Sequence, residues 1–478
     1  MYQSAIMKKH LIYTLIFAVL FSSCAKMVDG INNDPNNPTD ADPNSMLTSI
    51  MVGNMNIQEG DLARFAGMWS GHFRGFTQQY QSYHQYSVIA RNFDAAWQRV
   101  YSGLYKNMVI LKAKARAVNN RRMLGVVQVL EANLMGTATA IWGDIPYTEA
   151  SDDRFPNPKF DSQASVYASL QTLLDSAIVN LGSTAFVDFA AQDIHFAGNM
   201  TRWIQTANTL KARYFMHVKD YPRALAAAQN GISTQANNFL APHNNTNRGA
   251  NNLYFQFLAL DRPNWIDANG MYGVNLINPT GNRYRGNAKT NERARWNYFY
   301  NSATNLNFAA NGTGFFNHST SFPLATFAEN LLILAEADTR VNGFTAGLAR
   351  LNTYRAYMNT GAYISTAFLT TGNWRYDPYV AADFAAGGME NGGTSPLAQD
   401  RALLREIIEE RYVTFIGQIE GFNDLRRIFK ETDVRIALPL NFGTQFPQRF
   451  LYPQVEIDMN KSTPNPIPSV FDPTPVNR

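Results

Sequence analysis

Apolar residues recur at spacings of three and four along one stretch of this chain after another, and that rhythm commits much of its length to amphipathic helix. Phe93 to Val118 carries Trp97, Val100, Tyr101, Leu104, Met108 and Leu111 in this pattern. Arg122 to Ile141 repeats it with Leu124, Val127, Leu130, Leu134 and Ala138. That helix stops at Trp142-Gly143-Asp144-Ile145-Pro146, where glycine suits a C-cap and proline cannot continue the ladder. Val166 to Leu181, Trp203 to Val218 and Arg223 to Ile232 complete a first helical block. Thr326 to Val341, Thr345 to Met358 and Asp400 to Phe415 form a second.

Paired helices joined by short turns resemble tetratricopeptide packing, although no clean repeat of about 34 residues is present. The expected fold is mainly α: a tetratricopeptide-like helical-repeat scaffold with long irregular loops and few short strands. Periodicity fades over residues 233–322 and 361–396, where Asn, Gly, Pro and aromatics dominate. Long irregular segments on a helical frame are where function tends to sit.

Cys24 is the only cysteine, so no intramolecular disulfide can form and the core alone must hold the fold. Cys24 ends the series Lys8-Lys9-His10, an apolar run from Leu11 to Phe21, and Ser22-Ser23. A basic start, a short apolar run and small residues before the cut describe a secretory signal. A cysteine at the cut points to a bacterial lipoprotein signal, with an ordinary signal peptide and an incidental cysteine as the alternative. Asn32-Asn33-Asp34-Pro35-Asn36-Asn37-Pro38-Thr39 specifies turns and extended backbone. The division expected is a signal over residues 1–23, a lipidated polar tether over 24–44 and a single body over 45–478. No second apolar stretch is expected to reach membrane-spanning length.

Removing residues 1–23 takes Lys8 and Lys9 but no acid, leaving 39 basic against 37 acidic side chains. That balance argues against a nucleic-acid binder. The seven histidines show no H-x-x-x-H spacing, and Gly387-Gly388 and Gly392-Gly393 precede no Lys-Ser or Lys-Thr pair. No G-x-S-x-G elbow or twelve-residue calcium loop is present. Glu406, Glu409 and Glu410 alternate with Arg405 and Arg411, which reads as salt links on a solvated helix face. No cofactor, metal site or catalytic residue is expected.

Several segments, in order, carry a family resemblance. They are Asn33-Asp34-Pro35-Asn36-Asn37-Pro38-Thr39, then Glu131-Ala132 with Ile141-Trp142-Gly143-Asp144-Ile145-Pro146-Tyr147, and Trp203 to Arg213. Glu329 to Ala337, Glu420-Gly421-Phe422-Asn423-Asp424-Leu425-Arg426-Arg427 and Pro447-Gln448-Arg449-Phe450-Leu451-Tyr452-Pro453 follow. Together they resemble the SusD/RagB-type nutrient-binding lipoproteins of Bacteroidota. The resemblance implies a lipid-anchored protein on the outer face of the outer membrane, paired with a TonB-dependent transporter of the SusC type. It implies capture of an oligosaccharide, or a peptide, without chemistry. A surface hydrolase is the remaining alternative and needs two acids in a pocket beside Trp265.

Aromatics make up 13% of the chain, and those in irregular stretches are the candidate ligand platforms. Trp69, Tyr80, Tyr83 and Tyr86 precede the first long helix. Trp265, Tyr272, Trp296 and Tyr298 lie in the central loops, and Trp374 and Tyr376 in the late loop. Asn264, Asn269, Arg283 and Arg285 are expected to orient hydroxyls or a charged group.

Overall fold

In the computed structural model, residues 41–308 and 313–478 are described. The expected signal, Cys24 and the tether up to residue 40 lie outside them. The helical frame runs α1 (Pro43–Glu59), α2 (Asp61–Trp69), α3 (Lys106–Ala117), α4 (Arg121–Trp142), α5 (Gln163–Leu181), α6 (Met200–His217) and α7 (Tyr221–Ala228). It continues with α8 (Phe327–Asn342), α9 (Phe344–Asn359), α10 (Gln399–Thr414) and α11 (Ile419–Arg427). Each helix from α3 to α9 packs on its successor, and α10 returns onto α8. Nearest-neighbour stacking of this kind is the logic of a helical repeat. Leu47–Arg478 forms one compact unit.

Local chemistry sets the boundaries. The Asn120 side chain accepts from the Met123 amide at 3.2 Å and starts α4. Gly143, at φ +85°, ends it, a conformation that favours glycine. Every residue of α4 from Met123 to Trp142 is buried. This helix is long and apolar enough to span a membrane, which corrects the expectation that no such stretch exists. Its complete burial makes it the core helix, covered by α3, α5 and α6. Several polar groups on it are paired: the Leu130 carbonyl with Asn54 at 3.1 Å, Thr137 with Gln58 at 2.9 Å and Gln128 with Asn180 at 2.8 Å. Gly136 lets α6 approach, since a Cβ there would lie 2.3 Å from the Tyr214 ring.

Buried ion pairs tie the frame together, one of them across the two blocks. Arg213 on α6 donates to Glu329 on α8 at 2.6 Å. Arg427 on α11 donates to Glu336 on α8 at 2.6 and 2.8 Å, while Arg411 on α10 bonds Asp424 at 2.7 Å. Arginine suits such sites because its planar fork meets a carboxylate with two parallel bonds.

The stretch from Phe93 to Val118 is not one helix. It divides into the 3-10 turn Ala90–Phe93, the helix Asp94–Gln98, the π-helical segment Arg99–Tyr105 and then α3. The irregular segments hold short elements of their own, including the antiparallel pairs Arg74–Gly75 with Ile266–Asp267, Phe239–Ala241 with Phe322–Ala325, and Thr290–Asn291 with Arg375–Tyr376. Glu406 and Glu410 do not face solvent. They are buried with Glu292 against Arg285 and Arg295, whose side chains are 3% and 2% exposed. Arg285 is therefore spent inside this cluster and is unavailable to a ligand.

Candidate functional site

The pairing of Arg74–Gly75 with Ile266–Asp267 brings residues 74–86 against residues 261–269, nearly two hundred positions apart in sequence. Arg74 grips Asp267 through two bonds of 2.9 and 2.5 Å, and the Phe76 amide donates to the Trp265 carbonyl at 2.8 Å. Asn264 takes φ +65°, a conformation asparagine tolerates better than most residues, and its carbonyl accepts from Thr77 at 3.2 Å. Trp265 thereby lands 5.8 Å from Tyr80 and 6.3 Å from Phe257, between centroids. Tyr80 in turn lies 4.8 Å from Phe257 and 5.5 Å from Tyr83. These rings are inclined by 40° to 82°, so they make a curved wall and not a flat platform.

At Phe257 the wall meets a cavity of about 510 Å³, and Phe257 is the one ring of the wall that lines it. Two segments of π-helical winding line it, Arg99–Tyr105 and Gln256–Asp261. Winding of that kind recurs at functional sites because it swings side chains out of the regular helical rows. The charged lining is Asp61, Arg64, Arg99 and Asp261. Asp61 pairs with Arg64 and, at 3.5 Å, with Arg99. Asp261 accepts from Gln256 at 3.0 Å and from Arg248 at 3.1 Å. The Gln256 amide and then the Arg248 guanidinium hold Asp261 below the usual carboxylate range.

Arg64 is buried, which opposes its charge, but Tyr80 and Asp61 more than offset this and raise its pKa. Its Nε donates to the Tyr80 hydroxyl at 2.9 Å, and its guanidinium lies 4.3 Å from the Phe257 centroid. Burial raises the Tyr80 pKa, so the phenol stays neutral. The outcome is a charge-balanced set of fixed donors and acceptors beside apolar ring faces. It can hold vicinal hydroxyls against the carboxylates and guanidinium groups and pack a ring against Trp265. Among the described residues no three His, Cys, Asp or Glu side chains converge as metal ligands.

The expected platforms do not gather in one place. Trp265 and Tyr83 are half-buried at the wall. Tyr80 is 4% exposed and supports Trp265 from behind. Trp69 is fully buried among Phe65, Tyr86, Phe422 and Phe450. Tyr86 is buried as well, with its hydroxyl accepting from the Asn441 amide at 2.8 Å. Tyr376 is 1% exposed and donates to Glu292 at 2.8 Å. None of these three has a face to offer a ligand; each fills space between an irregular segment and the frame.

Tyr272 is half-buried under the exposed Arg283, 5.4 Å away. Trp374 donates to the Asn359 carbonyl at 3.1 Å and packs on the α8–α9–α10 core. Trp296 is half-buried, its ring nitrogen buried and without a hydrogen-bond partner among the described residues. Tyr298 belongs to a separate cavity. Asn264 and Asn269 are exposed near Trp265. Asp61, Arg64, Arg99, Gln256, Phe257 and Asp261 were not among the expected residues. An Asp–Arg pair three apart on the otherwise apolar α2 was the one signal available for two of them.

Comparison with known proteins gives one family. The SusD-like model described as "Starch-binding associating with outer membrane" matches residues 35–453. No curated protein matches. Similar solved structures include a SusD/RagB family protein from Bacteroides thetaiotaomicron, at 18% identity, TM-score 0.64, and 88% of this chain and 95% of that one covered. A chitin-binding SusD homolog from Flavobacterium johnsoniae follows at 15% identity, TM-score 0.62, covering 91% and 98%. A SusD homolog from Bacteroides uniformis gives 17%, 0.60, 91% and 99%.

Proposed function

Because the chain belongs to the SusD-like family of starch-binding proteins associated with the outer membrane, we propose that it captures an oligosaccharide and passes it on intact. In this reading Cys24 carries the lipid anchor, the protein faces outward, and a TonB-dependent transporter of the SusC type receives the cargo. The ligand site is the cavity of Asp61, Arg64, Arg99 and Asp261 with the wall of Trp265, Tyr83 and Phe257.

The carrying observation is the juxtaposition of inclined rings with a charge-balanced polar cavity. Sugars present both apolar C–H faces and dense hydroxyls, and this surface offers a counterpart to each. A nutrient-binding job at the outer membrane agrees with the family description. Chitin binding is the stated property of the Flavobacterium homolog, so starch-type and chitin-type oligomers are the first ligands to try.

Two acids do line the cavity, Asp61 and Asp261, and a pair of acids is what a hydrolase needs. A glycosidase acid must carry a raised pKa to hold its proton. Asp261 is shifted the opposite way, and Asp61 is committed to two arginines. In this reading both orient hydroxyls and neither transfers a proton. Calorimetry of the purified chain with malto-oligosaccharides, chito-oligosaccharides and a peptide mixture tests the reading, followed by chromatography after long incubation. Saturable binding of an oligosaccharide recovered at full length is expected. Cleaved sugar, or binding of peptides alone, overturns it.

A further inference from the structure

A second cavity, of about 240 Å³, lies where the central irregular segment meets α8, α9 and the end of α10. It shares no lining residue with the first. Tyr298, Phe299 and Phe315 contribute ring surface from the central segment, and Tyr354, Tyr357 and Tyr363 contribute it from α9 and the turn beyond. The volume falls below the roughly 300–1,000 Å³ of sites for drug-sized ligands, so it holds a single small ring and not a chain.

The only charged lining residue is Arg295. Its guanidinium is already bound to Glu292 at 2.6 and 2.8 Å and to Glu410 at 3.0 Å. No charge is left for a carboxylate or phosphate, which argues against an anionic occupant. Four side-chain polar groups of lining residues make no hydrogen bond among the described residues: the Tyr298 and Ser321 hydroxyls, the Gln418 Oε1 and the Asn238 Nδ2. The same Gln418 and Asn238 side chains use their other ends on the chain, at 2.9 Å to the Thr414 carbonyl and 2.7 Å from the Phe327 amide, so both are fixed in orientation.

An apolar or purely aromatic occupant would strand those groups, at about 1–3 kcal/mol for each buried one left unpaired. A ligand with hydroxyls around a ring satisfies them while its C–H faces meet the aromatic sides. We propose that this cavity is a second binding site, separate from the first, for one uncharged pyranose unit. The proposal stands on this cavity alone and does not depend on what the first one binds.

Ligand-observed NMR titration of the full chain with glucose, galactose, mannose, N-acetylglucosamine and phenol tests it, on the natural sequence and on W265A, Y298F and A328F. Saturable binding of at least one sugar is expected, and it persists in W265A once any contribution of the first cavity is removed. Y298F removes one hydroxyl and should weaken it about three- to tenfold. A328F places a ring in the cavity from the start of α8 and should abolish it; if that variant fails to fold, Y298F still decides. Absence of saturable binding by every sugar overturns the proposal, as does binding of phenol alone. Binding lost in W265A but untouched in Y298F would assign the sugar to the first cavity and overturn it equally.

Discussion

Replacing Trp265 with alanine is the sharpest perturbation of the proposed site, because this residue is proposed to contact the ligand and also packs locally. A tryptophan side chain offers roughly 200 Å², of which at most about a third is open on this half-buried ring. Covering about 60 Å² at ~25 cal/mol/Å² gives roughly 1.5 kcal/mol, or about a tenfold loss of affinity. The same substitution removes ring contacts to Tyr80 at 5.8 Å and Phe257 at 6.3 Å. The fold should lose about 2 kcal/mol, less than the 3–5 kcal/mol of a fully buried aromatic. Isothermal calorimetry at a temperature where both proteins are folded separates the two effects. W374A is the control, since its indole packs on the second helical block and donates to the Asn359 carbonyl. Equal affinity in W265A, or an equal loss in W374A, refutes the placement of the site.

Other consequences are open to direct measurement. Arg427→Met leaves Glu336 buried without its bidentate partner and should cost about 3–5 kcal/mol in urea unfolding; a loss under 1 kcal/mol contradicts the role given to this pair. Burial lowers the His84 pKa to about 4 from ~6.5 in an unfolded chain. The unfolded chain therefore takes up a proton first as pH falls, so the stability tied to this histidine is complete above pH 6.5 and lost on the way to pH 4. The stability of the protein relative to H84Q should drop by about 1 kcal/mol per pH unit below 6.5, and a constant difference would be inconsistent with burial of the neutral ring. Cys24→Ala should move the protein from the membrane fraction to the soluble fraction without altering oligosaccharide affinity; retention in the membrane argues against the lipid anchor.

The frame was legible because three-and-four spacing survives any tertiary context: α4 to α10 each fall within a few residues of the stretches read from periodicity. The helix α1 was hidden by the Asn-Pro density before it, although proline fits a first helical turn. Aromatic placement was much less legible. Tyr376, Trp69 and Tyr86 sit in or beside irregular sequence, yet those segments fold back on the helices and use such rings as filler. Pairing across long distances was invisible. Glu406 and Glu410 have arginine neighbours on their own helix, but their partners Arg285 and Arg295 lie more than a hundred residues earlier. The cavity depends on the same kind of encounter. Nothing in the spacing of Asp61 and Arg64 announces Gln256, Phe257 and Asp261 across from them.

A crystal structure of the full chain with a bound malto- or chito-oligosaccharide tests the proposed site most directly. The expected result is a sugar ring against Trp265, with its hydroxyls within hydrogen-bond reach of Asp61, Arg99 or Asp261. An ordered oligosaccharide elsewhere on the protein, with this cavity left to solvent, would contradict it.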